Sequence, residues 1–250
     1  MEVTLLFLFI SVTAVLIAGI SKGGFGSGVS FICTPILAMI IEPKLALGLM
    51  LPLLMLMDLV SLKIYWKKWC VLNARVLICG SLFGIALAIL FFRVASPDLL
   101  RVIIGIISIS FVLYQSVKKK VFLNKTISKF NSQLGITMGV LAGFTSFISH
   151  AGGPPVAVFL LSQGLNKTLY QATTVICFSV INVFKFFPYT YFGFISKETL
   201  TIGLLLSPAA IIGTLIGAYA HRVFSEKWFL YVTYFLLLLA GSKLIFDGLT

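Results

Sequence analysis

Polar and charged residues interrupt this chain rarely and at regular intervals. Nearly continuous apolar runs cover roughly 3–20, 28–41, 45–66, 71–92, 98–116, 133–149, 154–165, 168–194, 199–220 and 226–247. None alternates with the period of two that a half-buried strand requires, so each is read as helix. Eight approach or exceed the ~20 residues that carry a helix across a bilayer. The runs 28–41 and 154–165 are too short for a full span, a length typical of re-entrant segments. The expected fold is an all-α polytopic membrane protein with 8–10 membrane helices, two of them short or broken.

Composition leads to the same solvent. Sixty per cent of the 250 residues are hydrophobic and 10% are charged, with a mean hydropathy of +1.11. Soluble domains carry about 25% charged residues. A chain this poor in charge cannot cover itself with polar surface, and in lipid its backbone must be satisfied internally. Residues 1–250 are therefore read as one membrane domain. The first twenty residues are read as a retained helix, because Glu2 stands where a signal peptide needs positive charge. Cys33, Cys70, Cys79 and Cys177 are scattered singly, which suggests neither a disulfide framework nor a zinc site. They are read as buried small apolar residues.

The net charge is +12. Most of the basic residues lie between apolar runs, where they mark the cytoplasmic face rather than a nucleic-acid surface. The one extended polar stretch, "SVKKKVFLNKTISKFNSQ" at 116–133, has five lysines and no acid. Placed inside, it brings Lys67, Lys68, Arg75, Lys167, Arg222 and Lys227 to the same side. Lys44, Arg93, Arg101, Lys197 and Lys243 fall opposite. This basic linker, 117–132, separates a first repeat at 1–116 from a second at 133–250.

The two halves resemble each other. Gly84 and Arg93-Val94-x-Ser96 match Gly213 and Arg222-Val223-x-Ser225. "SKGGFGSGVSFICTPILAMI" from Ser21 parallels "SFISHAGGPPVAVFLLSQ" from Ser146. Five membrane segments per half is an odd number, which predicts inverted repeats. Small residues such as Gly84, Ala88, Gly213 and Gly217 are read as close-packing positions between helices.

Paired interrupted segments at matching places point to a transporter binding site. A helix that starts inside the membrane exposes free N–H groups at the positive end of its dipole, which favours an anion. Gly23, Gly24, Gly26 and Gly28 precede the first short segment. Gly152, Gly153, Pro154 and Pro155 open the second. Lys22 lies inside the first break and His150 inside the second. Lys185 sits mid-run with Asn182 on the same helical face. Ionisable groups in the membrane are costly, and such a position is functional by default. Asp58 is the one deep acid, read as a partner for Lys185 or Lys63 or as a proton carrier. His150 is the other proton-coupling candidate. Lys63 is expected to snorkel. The aromatic run "KFFPYTYFGF" is read as an interfacial belt, with Tyr189 or Tyr191 lining a vestibule as the alternative.

On these residues the chain resembles the sulfite exporter TauE/SafE family. The likeness runs from about residue 8 to 247 and is closest through "AGFTSFISHAGGPPVAVFLL", "NKTLYQATTVICFSVINVFKFFPY" and "PAAIIGTLIGAYAHRVFSEKWF". It implies an inner-membrane permease for sulfite, organosulfonates or related sulfur anions. By position it carries the family's glycine-rich break onto Gly23, Gly24, Gly26 and Gly28, its turn onto Gly152 to Pro155, and its asparagine–lysine pair onto Asn182 and Lys185. Phe25 departs from the purer glycine–alanine run. The expected mechanism is alternating access of the two repeats around a fixed site, with a passive anion channel as the alternative. No HExxH, GxSxG or acid pair points to an enzyme. No cofactor, metal site or nucleic-acid partner is expected. The expected partners are a small anion and the bilayer, and a homodimer is left open.

Overall fold

The computed structural model describes residues 4–24, 30–121, 130–223 and 227–250. Among them every element is helical: α1 Leu5–Gly24, a 3-10 turn Ser30–Ile32, α2 Cys33–Ala38, α3 Pro43–Ile64, α4 Val71–Phe92, α5 Pro97–Val121, α6 Ser132–Ser149, α7 Gly153–Ser162, α8 Lys167–Tyr191, α9 Lys197–Val223 and α10 Lys227–Leu249. Within α1, α3, α4, α5, α6, α8 and α9, seven stretches are long and apolar enough to cross a membrane. The 23 residues of α10 extend about 34 Å at the helical rise, a comparable length. The chain is a multi-pass membrane protein.

Local signals set the helix ends. Asn131 and Asn166 cap α6 and α8 by accepting from the N–H groups of Leu134 and Leu169 at 3.0 and 2.9 Å. Pro43 and Pro154 stand in the first turns of α3 and α7, where no N–H is needed. Gly193 closes α8 with φ +72°, a left-handed backbone that glycine adopts without strain.

Three sequence expectations change. The apolar run at 3–20 continues as helix through Gly24, so Lys22, Gly23 and Gly24 form the last turn of α1 rather than the first break. The backbone there keeps its helical bonds because α9 packs against it closely enough to seal it. The segment 28–41 is not one short helix. It holds the 3-10 turn and six residues of α2, with Ile32 already in helical conformation ahead of it. Cys79 is exposed, not buried, although Cys33 and Cys177 are fully inside. The segment 154–165 does form a short helix, α7, of ten residues.

Helix α1 packs along α9, α4 along α6, and α5 along α10, while α3 touches both α8 and α9, and α8 touches α4. Exchanging α1–α5 with α6–α10 in order maps α1–α9 onto α6–α4 and α3–α9 onto α8–α4. It leaves α3–α8 and α5–α10 as they are. The first helix of each half thus lies against the fourth helix of the other.

Small residues allow these crossings. A Cβ on Gly84 would stand 2.0 Å from the carbonyl oxygen of Val140 in α6, and one on Gly213 would stand 2.7 Å from that of Leu16 in α1. These two glycines match in sequence and occupy matching crossings. Gly217 meets the Ile20 carbonyl in the same way. Replacing Gly84 by Val should cost about 1–3 kcal/mol through overpacking and lower the unfolding midpoint in detergent. Gly203→Ala, where the nearest atom to the new Cβ is 3.8 Å away, should leave it in place. An equal drop in both variants would contradict the packing role.

Candidate functional site

Five ionisable or amide side chains meet between α1, α3, α6 and α8. Lys22, Asp58, His150, Asn182 and Lys185 are each 5% exposed or less. Asn182 and Lys185, three residues apart on α8, share one face. Each organises one half of the cluster.

On one side Asp58 of α3 lies between two partners. Its Oδ1 is 3.0 Å from Lys22 Nζ, and its Oδ2 accepts a 2.7 Å hydrogen bond from Asn182 Nδ2. The carboxylate was expected beside Lys185 or Lys63. It pairs instead with Lys22, because the longer α1 brings that residue into the core, while Lys63 is exposed. Two side chains anchor the end of α1. Gln171 Nε2 donates to the Lys22 carbonyl at 2.8 Å, and the Tyr65 hydroxyl donates to the Gly23 carbonyl at 2.9 Å. Carbonyls in the last turn of a helix need partners from outside it, above all in lipid surroundings.

On the other side Lys185 Nζ donates to the Ser146 carbonyl at 2.8 Å, to Ser146 Oγ at 3.1 Å and to His150 Nδ1 at 2.6 Å. These account for all three N–H groups of an ammonium. With Nδ1 accepting, His150 carries its hydrogen on Nε2, which donates to the Leu47 carbonyl of α3 at 3.2 Å. The network thus assigns a neutral imidazole. His150 is the C-cap of α6 at φ 57°, a left-handed conformation unusual for a residue with a side chain. That turn swings the ring back over the last turn of α6, toward Lys185, before the chain enters α7.

Gly152 is the N-cap of α7, and Gly153, Pro154 and Pro155 form its first turn. A Cβ on Gly152 would meet the Ala142 carbonyl at 2.7 Å and the Phe178 ring at 2.8 Å. On Gly23 and Gly24 it would meet the carbonyls of Thr214 and Gly217 in α9 at 2.1 and 2.0 Å. In all three the space left by the missing side chain is filled by neighbouring helices. Gly26 and Gly28 lie outside the described residues, as do residues 122–129 of the basic linker. Tyr189 is buried, its hydroxyl donating to the Phe147 carbonyl at 2.5 Å, whereas Tyr191 is exposed.

Ser146, Gln171, Tyr65 and the Leu47 carbonyl did not stand out in the sequence. Ser146 had one available signal: it sits four residues before His150, one helical turn away. Gln171 and Tyr65 act on backbone atoms of α1, and no sequence pattern announces that. Among the described residues no group of three His, Cys, Asp or Glu converges to hold a metal.

Basic side chains outnumber acidic ones here. Two lysines and one aspartate are closed inside the bundle, with His150 against Lys185. Residues 11–244 match the family model described as Sulfite exporter TauE/SafE. The chain belongs to that family. No curated protein and no solved structure matches it. This TauE/SafE member therefore buries two lysines against one aspartate at the junction of α1, α3, α6 and α8. Asp58→Leu alone should lose about 3–5 kcal/mol, because it leaves Lys22 buried without its counter-charge. Adding Lys22→Met should recover most of that loss. Thermal unfolding in detergent checks both, and a double variant no more stable than the single one would refute the pairing.

Proposed function

We propose that the protein is a secondary transporter that moves sulfite, organosulfonates or related small sulfur oxyanions across the cytoplasmic membrane. Membership of the sulfite exporter family supports the substrate class. The observation that carries the reading is the excess positive charge formed by Lys22 and Lys185 against Asp58 alone. A buried charge excess is expensive, and a bound anion offsets it. The start of α7, with Gly152, Gly153, Pro154 and Pro155, lies two to five residues beyond His150 and adds a positive helix end beside the cluster.

Two features support alternating access over an open pore. The polar residues are shut away from solvent, as in an occluded carrier. The helix pairing is unchanged when the halves are exchanged, which suits two repeats, 1–116 and 133–250, rocking about a shared centre. Inversion of the repeats follows from five segments per half and from the loop charges, with the linker 117–132 in the cytoplasm. A membrane potential of ~100 mV favours outward movement by about 2.3 kcal/mol per net negative charge carried, so the potential itself can drive export.

Purified protein in liposomes should show saturable sulfite flux, competed by thiosulfate or a sulfonate. Lys185→Met should weaken apparent affinity about ten- to a hundredfold, corresponding to about 1.5–3 kcal/mol for a lost charge-assisted hydrogen bond. Flux that never saturates would indicate a channel. No flux of any of these anions by folded protein would refute the substrate class. A cysteine replacing Lys125 should react with an impermeant thiol reagent from the cytoplasmic side alone.

A further inference from the structure

Of the three acceptors around Lys185 Nζ, two cannot gain a proton near neutral pH: the Ser146 carbonyl and hydroxyl. The third, His150 Nδ1, can. It is held as an acceptor only while Lys185 points at it. We propose that His150 and Lys185 form a charge-matching switch, in which a bound dianion draws Lys185 away from His150 Nδ1 and His150 takes up one proton, whereas a monoanion binds without one. This rests on the anion-transport reading and adds to it which residue takes the proton and for which class of substrate.

Counting charge gives the reason. The empty cluster is +1, from Lys22, Lys185 and Asp58. A monoanion brings it to zero. A dianion brings it to −1, which is costly to enclose in a dry core, and a single proton restores zero. Both loaded states are then neutral. In the exchange the Nζ–H···Nδ1 hydrogen bond breaks and an Nζ–H···O bond to the anion forms. A proton from the bulk solution, leaving its conjugate base (water or buffer) outside, enters with the anion and adds to Nδ1, whose N–H then donates to the anion as well. No covalent bond of the anion changes. Release reverses each step.

The other groups around the ring cannot take this role without greater loss. Tyr189 of α8 keeps its hydroxyl hydrogen on the Phe147 carbonyl, and its ring centroid lies 5.9 Å from that of His150. Asp58 of α3 is held on both oxygens by Lys22 and Asn182, and protonating it would leave Lys22 uncompensated. Lys22 of α1 is matched by Asp58, so with Lys185 as an ammonium a proton on His150 would add a second unmatched positive charge to the closed cluster until an anion arrives. That ties uptake to loading.

The chain has two histidines, so His221→Gln leaves His150 as the lone reporter. In proteoliposomes, 15N NMR of this variant should show a neutral ring with hydrogen on Nε2 when no anion is present. Saturating thiosulfate, or sulfite above its second ionisation, should convert the ring to imidazolium. Methanesulfonate should not. Binding of each anion is established separately by its stabilisation of the protein against heat. Transport currents should carry one net charge per anion for both classes. His150→Asn suits the left-handed backbone and still offers Lys185 an acceptor. It should lower the dianion-to-monoanion flux ratio at least tenfold.

A ring that stays neutral with a stabilising dianion bound overturns the switch, as does equal protonation by methanesulfonate. If no anion stabilises the protein or moves across the membrane, the transport reading itself fails. The two failures are thus distinct.

Discussion

Enclosing two ammonium groups in a lipid-bounded bundle constrains everything around them. Each must find partners within the protein, because the surroundings supply none. Lys22 finds Asp58, which Asn182 steadies from the far side. Lys185 finds Ser146 and His150. These contacts draw α1, α3, α6 and α8 to one point, two helices from each half of the chain. The chain breaks nearest that point serve the same end. His150 takes a left-handed backbone so that its ring turns toward Lys185, and Gln171 and Tyr65 cover the carbonyls where α1 stops.

The scaffold that permits this arrangement is built from small residues. Where α1 crosses α9 and α4 crosses α6, backbones approach so closely that a methyl group would collide with a carbonyl oxygen. Close crossing compensates for the absence of a hydrophobic drive between helices in lipid. It also gives Gly23 and Gly24 a different purpose from the one their clustering suggested. They let α1 run a further turn against α9, and that turn delivers Lys22 to Asp58. The same residues thus connect packing to charge placement.

In the transport reading proposed above, a positive excess at the centre is both a stability cost and a selectivity device. The cost is lowered by hydrogen bonds that use every donor of Lys185, and offset further when an anion enters. Discrimination between anions then becomes a matter of charge count as much as of size. A histidine beside a lysine suits that task, because its neutral form accepts from the ammonium and its charged form donates to the substrate.

Much of this was legible in the chain. Long unalternating apolar runs required membrane helices, because no other element satisfies its backbone alone. The lone polar residues Lys22, Asp58, His150, Asn182 and Lys185 marked the site, since burying such groups without use is costly. What the sequence did not determine was who meets whom. Asp58 could be matched with Lys185 or Lys63 on spacing, yet it pairs with Lys22, because the register of α1 depends on contacts with α9, nearly two hundred residues away in the chain. Ser146, Gln171 and Tyr65 were hidden for the same reason: their partners are backbone atoms, which carry no sequence signature. Local hydrophobicity determined which segments enter the membrane, and tertiary packing decided which buried charge answers which.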